Sequence, residues 1–233
     1  MAWDAFDLVV LRSTWDYAER REEFLDWARS VPRVLNPVPL LEWNTDKRYL
    51  DDLEAAGVPI VPTRFVPPGC EWEPPAEPFV VKPSVSAGGR SSAWFAPEKS
   101  EAARALVARI HSEDRTAMVQ PYRSNEDETA LVYIDGAYSH AIRRRVPLPA
   151  GNERTVLYLD EHLEPSEATI HERETAEAAL ACAPGSSLYA RADLLGGAVL
   201  ELELTEPSLY FGLSEGSAER LARAICARLS PVR

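Results

Sequence analysis

The sequence predicts an α+β fold with antiparallel sheets, and two observations carry that expectation. Two turns, Asp135-Gly136 and Gly196-Gly197, are each flanked by apolar runs of strand length, the signature of two-residue hairpins. After residue 79, strands joined by hairpins outnumber β-helix-β crossovers, which argues against a doubly wound parallel sheet. The first 40 residues differ: they read strand, helix, strand, as in one unit of a parallel sheet.

Residues 7–12 (DLVVLR) are a short β-branched run and predict a buried strand. Residues 19–30 predict a helix with Phe24, Trp27 and Ala28 on one face. Residues 33–35 predict a second strand, ended by Asn36-Pro37. Residues 45–56 (TDKRYLDDLEAA) predict a helix with Thr45 as its N-cap, Asp46 in the first turn and Gly57 as its stop. Residues 58–66 alternate enough for edge strands, and 67–78 (PPGCEWEPPAEP) form a Pro/Glu-rich connection. Strands follow at 79–82, 92–95 and 116–120, with a small-residue loop at 84–92 and a helix at 98–111. The two hairpins span 129–134 with 137–143, and 188–195 with 198–204. A further strand is expected at 154–159, a long helix at 166–183 and an amphipathic helix at 215–229. The expected division is 1–40, 41–122 and 123–233.

Of the 233 residues, 45% are hydrophobic and 27% charged, a balance that supports a core and argues against disorder. The net charge is −12, from 25 basic and 37 acidic residues. A binder of free duplex DNA or of an anionic membrane normally carries the opposite sign. No apolar run approaches the roughly 18 residues that span a bilayer. The first residues, MAWDAFD, lack the basic start and apolar run of a signal peptide. Three scattered cysteines (Cys70, Cys182, Cys226) argue against a disulfide framework and for a reducing, cytoplasmic setting. Of the basic residues 22 are Arg and only Lys47, Lys82 and Lys99 are Lys. A narrow phosphate site can demand the compact ammonium group, although three survivors of an Arg bias can also be chance.

Several familiar chemistries lack their motifs. There is no Gly-Lys pair for a Walker loop, no Gly-x-Gly-x-x-Gly and no Gly-x-Ser-x-Gly. The cysteines and His171-Glu172 lack zinc-ligand spacing. What is present is Lys82 at the end of an apolar strand (FVVKP), directly before Ser84-Val85-Ser86-Ala87-Gly88-Gly89-Arg90-Ser91-Ser92. Small residues let backbone N–H groups approach an anion, and hydroxyls and Arg90 add donors. The bland reading of the same loop is a flexible hairpin tip. On the last hairpin Arg191 and Asp193 share one face, while Leu200, Leu202 and Leu204 alternate with Glu201 and Glu203, with Glu206 just beyond. Asp193, Glu203 and Glu206 can converge as hard oxygen ligands for Mg²⁺, since clustered like charges are costly without a cation. Glu201 is read instead as an ordinary charge on a solvated strand face.

The order of these pieces resembles the ATP-grasp superfamily of carboxylate–amine ligases: Lys47 in DKRYL, Lys82 before the Gly/Ser loop, Gln120-Pro121-Tyr122, Glu128-Thr129 with its hairpin, Arg191-Ala192-Asp193, and Glu203-Leu204-Thr205-Glu206-Pro207. The resemblance covers about residues 40–230. The stretches LRSTWDY at 11–17, WNTDKRY at 43–49 and EPSL at 206–209 are further similar to a subgroup that includes the cycloserine-forming synthetase. The resemblance implies an ATP-grasp fold, two α+β subdomains (41–122 and 123–233) clasping a nucleotide, after a partial α/β unit (1–40). It implies that Lys47 and Lys82 contact the ATP phosphates and that Ser84 to Ser92, including Ser86, Gly88 and Gly89, close over them. It further implies that Gln120 and Tyr122 form the adenine hinge, that Glu128 holds the ribose and that Asp193 and Glu203 bind Mg²⁺, with Mn²⁺ an acceptable substitute. Arg191, with Arg143 as the second candidate, is expected to stabilise the transferring phosphate.

Three departures stand out. The family's last metal motif is Glu-x-Asn, whereas here Glu203-x-Thr205 is followed by Glu206. Gln120 stands where an acid is common, and residues 7–35 alone represent the N-terminal domain, so the chain reads as beginning partway through it. The function expected is an ATP-dependent ligase or cyclase acting on a small amino-acid-like carboxylate and an amine, with neither nucleic acid nor membrane as partner and a homodimer as the candidate assembly. Its rivals are an ATP-binding regulatory module without turnover and an unrelated α+β interaction domain.

Overall fold

The computed structural model describes residues 2–123, 126–145, 150–151 and 162–229. The expected strand at 154–159 lies outside them. Strand β1 (Val9–Val10) leads through a 3₁₀ turn (Trp15–Glu19) into helix α1 (Arg21–Ser30) and returns as β2 (Val34–Leu35). The two strands pair in parallel, Val9 opposite Val34. Leu11, Leu25, Ala28, Val31, Val34 and Leu41 bury themselves together beneath this small unit.

The predicted helix at 45–56 is two helices, α2 (Val38–Asn44) and α3 (Tyr49–Ala55). Thr45 is therefore not an N-cap. It closes α2, its N–H donating to the Leu41 carbonyl at 3.0 Å and its hydroxyl to the same oxygen at 2.7 Å. The side chain of Asp46 accepts instead from the Arg48 N–H and guanidinium. The break frees the N–H of Lys47, which donates to the Ser84 carbonyl at 2.9 Å, so the joint between the helices is fastened to the root of the small-residue loop.

Strands β3 (Arg64–Val66), β4 (Phe79–Pro83), β5 (Ala93–Phe95) and β6 (Ala117–Pro121) form an antiparallel sheet in the order β3-β6-β4-β5. Helix α4 (Ser100–Ser112) covers it with Ala103, Leu106, Val107 and Ile110. The second sheet holds β7 (Glu128–Ile134), β8 (Ala137–Arg145), β9 (His162–Ser166), β10 (Tyr189–Leu195) and β11 (Ala198–Glu203), in the order β11-β10-β7-β8-β9. Both predicted hairpins are there, turning on Asp135-Gly136 and Gly196-Gly197 with positive φ at all four residues. Ser166 ends a strand that sequence reasoning did not foresee. Helix α5 (Ile170–Ala181) starts later than expected, behind a capping box between Thr169 and Glu172. Helix α6 (Ser217–Leu229) packs Leu221 and Ala224 beside Val132 and Ile134.

Helices α2 and α3 belong to the core of the five-stranded sheet, with Leu40, Tyr49, Leu50 and Leu53 among Leu131, Ala192, Leu202 and Leu204. They also cover its edge. An edge strand presents unpaired N–H and C=O groups. On β11 these are met by side chains: the Tyr49 hydroxyl lies 2.7 Å from the Leu202 nitrogen and 3.0 Å from its carbonyl oxygen. The Asn44 amide nitrogen donates to the Leu202 carbonyl, and its oxygen accepts from the Leu204 N–H, both at 2.8 Å. Val199 is met by backbone instead, its N–H donating to the Pro59 carbonyl and its carbonyl accepting from the Val61 N–H. Asn44→Ala strips two of these bonds in a buried place and is expected to cost about 2–3 kcal/mol in denaturant unfolding. Because Glu203 stands between Leu202 and Leu204, this edge sets where that acid points.

Candidate active site

The site is built on the facing strands β10 and β11 and roofed by the 84–92 loop. Antiparallel register places Asp193 opposite Glu201 and Arg191 opposite Glu203. Arg191, only 2% exposed, donates Nε and Nη2 to the two oxygens of Asp193 at 2.8 Å each, and Nη2 also to Glu203 Oε1 at 2.5 Å. Its guanidinium lies over the Tyr210 ring, 5.4 Å from the centroid. Arg144 adds a second cation 3.1 Å from Asp193 Oδ2 and bonds Glu128 Oε2 at 2.7 Å.

Opposite this cluster, Lys47 Nζ lies 3.0 Å from Glu201 Oε1, and Lys82 Nζ lies 3.7 Å from Glu201 Oε2. Lys47 also donates to the Ser86 carbonyl at 2.7 Å and to its hydroxyl at 3.0 Å. Two of the three lysines in the chain thus converge on one carboxylate, and the Lys82 charge also acts on Asp193. Ser84 and Ser86 are buried beneath the loop, whose tip turns on Gly88 and Gly89, both with positive φ. The N-terminal unit fastens the same loop: the Tyr17 hydroxyl donates to the Ser86 carbonyl at 3.4 Å, and Glu19 pairs with Arg90.

Burial and charge set the protonation pattern. Burial lowers the Lys82 ammonium, helped by like-charged Lys47 and opposed by Glu201. Burial alone would raise Glu201, but Lys47 and Lys82 outweigh it and hold the carboxyl below its ordinary range. Asp193 is likewise lowered, Arg144 and Arg191 overcoming its burial. Glu203 goes the other way: burial pushes it up to about 7 against the pull of Arg191. Glu206 is pushed well above the carboxylate range by burial and by its acidic neighbours Glu203 and Glu201.

Two expectations from the sequence need correction. Arg143 is exposed; the arginine that reaches the cluster is Arg144. Glu201 is not on a solvated face; it is the shared partner of Lys47 and Lys82. Arg144→Ala is expected to cost about 2–4 kcal/mol and most of any activity, because Asp193 loses one of its two arginine partners. Arg143→Ala should stay within about 0.5 kcal/mol of the parent in thermal unfolding.

Other expected residues are placed with partners of their own. The Gln120 side-chain nitrogen donates to Thr63 at 2.8 Å, and the Tyr122 N–H donates to the Pro78 carbonyl at 2.9 Å. The Tyr122 ring stacks on Trp94 at 4.6 Å. Glu128, expected at the ribose, is tied to Arg144. Among the described residues no three acidic, His or Cys side chains are grouped closely enough to hold a metal, so Glu206 does not join Asp193 and Glu203. Asp193 and Glu203 are nevertheless hard oxygen donors on facing strands, and Glu203 ionises with difficulty in its buried place. That donor chemistry fits Mg²⁺, which takes one or two carboxylates and completes its shell with phosphate oxygens and water.

Residues 1–36 match the model of the N-terminal domain of D-cycloserine synthetase DcsG. Along the whole chain, the cycloserine biosynthesis protein DcsG of Streptomyces lavendulae is 37% identical over 256 residues, covering 98% of this chain and 85% of the relative. This chain belongs to the DcsG family. The crystal structure of D-cycloserine synthetase DcsG superposes with a TM-score of 0.84 at 34% identity, over 99% of this chain and 86% of that one. D-alanine–D-alanine ligase from Bacillus anthracis, solved with ATP, matches at 0.65 and 15% identity over 92% of this chain and 82% of its own. The latter shows the shared ATP-grasp fold. The α+β expectation and the family resemblance therefore both hold.

Proposed function

We propose that this DcsG-family protein activates a small amino-acid-like carboxylate as an acyl phosphate, with ATP and Mg²⁺, for attack by an amine. The observation that carries the reading is the convergence of Lys47 and Lys82 on Glu201, beneath the Gly/Ser loop and beside the Arg191–Asp193–Arg144 cluster. A carboxylate is a poor electrophile. Its oxygen attacks the γ-phosphorus, ADP leaves, and the resulting acyl phosphate is attacked at carbon by an amine, with loss of phosphate and formation of the C–N bond. Phosphoryl transfer asks a protein mainly for positioning and charge neutralisation.

The residues supply both. Lys47 and Lys82 are point charges suited to phosphate oxygens. Arg191, its fork anchored on Asp193, places a buried positive charge beside the charge that develops on the transferring group. Asp193 and Glu203 would hold Mg²⁺ together with phosphate oxygens, and the ion would supply further neutralisation. Ser84, Ser86, Gly88 and Gly89 offer hydroxyl and backbone donors above the phosphates and exclude water from the intermediate. The test is release of ADP from Mg-ATP across a panel of amino acids, with EDTA as the control. Turnover with at least one of them, lost on chelation, is the expected result. Nucleotide binding without turnover on any of them refutes the ligase reading of this chain.

A further inference from the structure

Two ionisable groups beside the phosphate cluster are left unexplained by it. Glu206 is 6% exposed and, among the described residues, makes no hydrogen bond or ion pair, although its charge acts on Arg12 and Tyr17 on one side and is felt with Lys47 and Arg191 on the other. Arg12 has a buried Nη1 with no hydrogen-bond partner. Native proteins rarely leave such groups unmatched, and each one asks for a reason.

The pair is held in place by construction. The Arg12 guanidinium lies over the rings of Tyr189 and Phe211, 5.2 and 5.9 Å from their centroids. The Tyr189 hydroxyl sits 2.5 Å from the Leu11 carbonyl and 2.9 Å from the Thr205 carbonyl. One phenol therefore pins the residue before Arg12 to the residue before Glu206. Thr205 is fixed in turn by Asn44. The two side chains are close enough to act on each other but do not form an ion pair, so the Arg12 guanidinium and the Glu206 carboxyl, which ionises when a cation arrives, each keep hydrogen-bonding capacity for a third party.

We propose that Arg12 and Glu206 form the headgroup site for an amino-acid substrate, Glu206 taking its ammonium group and Arg12 an oxygen of its carboxylate. The inference rests on the ligase reading and adds to it the two residues that recognise the substrate's zwitterionic headgroup. It also gives the short N-terminal unit a task, since β1 leads to Arg12 and sets its guanidinium beside Tyr189 and Phe211. Glu206 thereby acts on the organic substrate and not on the metal.

Calorimetry on the full chain tests this with two pairs of probes, D-alanine against D-lactate and D-serine against D-glycerate, in which a hydroxyl replaces the amine. The titrations are run without nucleotide and again with Mg-ADP, so they answer whether or not ATP is turned over. The parent is expected to bind at least one amino acid roughly tenfold more tightly than its hydroxy counterpart, the scale of one charge-assisted contact. Glu206→Gln should erase that preference by weakening the amino acid alone. Glu206→Asp should keep most of it, and Arg12→Met should weaken both members of the pair. No binding of either amino acid, an equal loss for both members of a pair in Glu206→Gln, or a changed Mg²⁺ requirement in Glu206→Gln would each overturn the proposal.

Discussion

Replacing Lys82 by Met is expected to abolish the thermal stabilisation that Mg-ATP gives the parent and to lower kcat/KM by at least about a hundredfold, the usual cost of removing one preorganised cation or donor from a transition state. The geometry explains the size. Lys82 leaves the end of β4, where Val81 and Pro83 are buried on either side and pairing with β6 fixes the strand. Its ammonium is dehydrated, and its nearest anion is a Glu201 that Lys47 already holds more closely. A phosphate arriving here therefore meets a cation that has given up its water and is weakly matched by the protein. The stability cost should be smaller than that of Lys47→Met, because Lys47 also binds Ser86 at the root of the loop. Unchanged Mg-ATP affinity in Lys82→Met would remove the phosphate site from this end of the sheet.

Most of the architecture was legible because hydrophobic runs and glycine turns are local signals. Both hairpins, the small-residue loop and the terminal helix follow from them. What was not legible turns on two single-residue bulges. A regular hairpin over Asp135-Gly136 sets Arg143 opposite Glu128. The register instead shifts between Val132 and Tyr133, Ser139 becomes the extra residue, and Arg144 takes that place. A one-residue slip sends every later side chain to the other face. The same thing happens on β11. A regular hairpin over Gly196-Gly197 sets Leu200 and Leu202 opposite Asp193 and Arg191, whereas the shift between Asp193 and Leu194 brings Glu201 and Glu203 there. Alternation in the sequence shows that Glu201 and Glu203 share a face. It does not show which residues lie across from them, and a bulge is set by packing over the whole sheet. The edge bonds from Asn44 and Tyr49, on helices split at Thr45, hold the shifted register where charge would otherwise drive the acids apart.

Arg191→Met is the change expected to do most harm, for two reasons that can be separated. The guanidinium is buried and satisfies Asp193 twice and Glu203 once, with a further bond to the Ser208 carbonyl at 3.2 Å. Removing it leaves Glu203 without its ion-pair partner and Asp193 with Arg144 as its one remaining ion pair. Breaking a buried ion pair from one side typically costs about 3–5 kcal/mol, a large part of the roughly 5–15 kcal/mol that holds a domain together. The variant should therefore melt far below the parent. Adding Glu203→Gln to it removes the stranded charge at almost constant volume, and part of the lost stability should return, with a coupling of about 1–3 kcal/mol in the double-mutant cycle. Activity should not return, because the cation proposed to neutralise the transferring phosphate is still gone. If the double variant regained turnover along with its stability, Arg191 would be a structural counter-ion only, and charge neutralisation would have to come from Lys47, Lys82 and Arg144 without it.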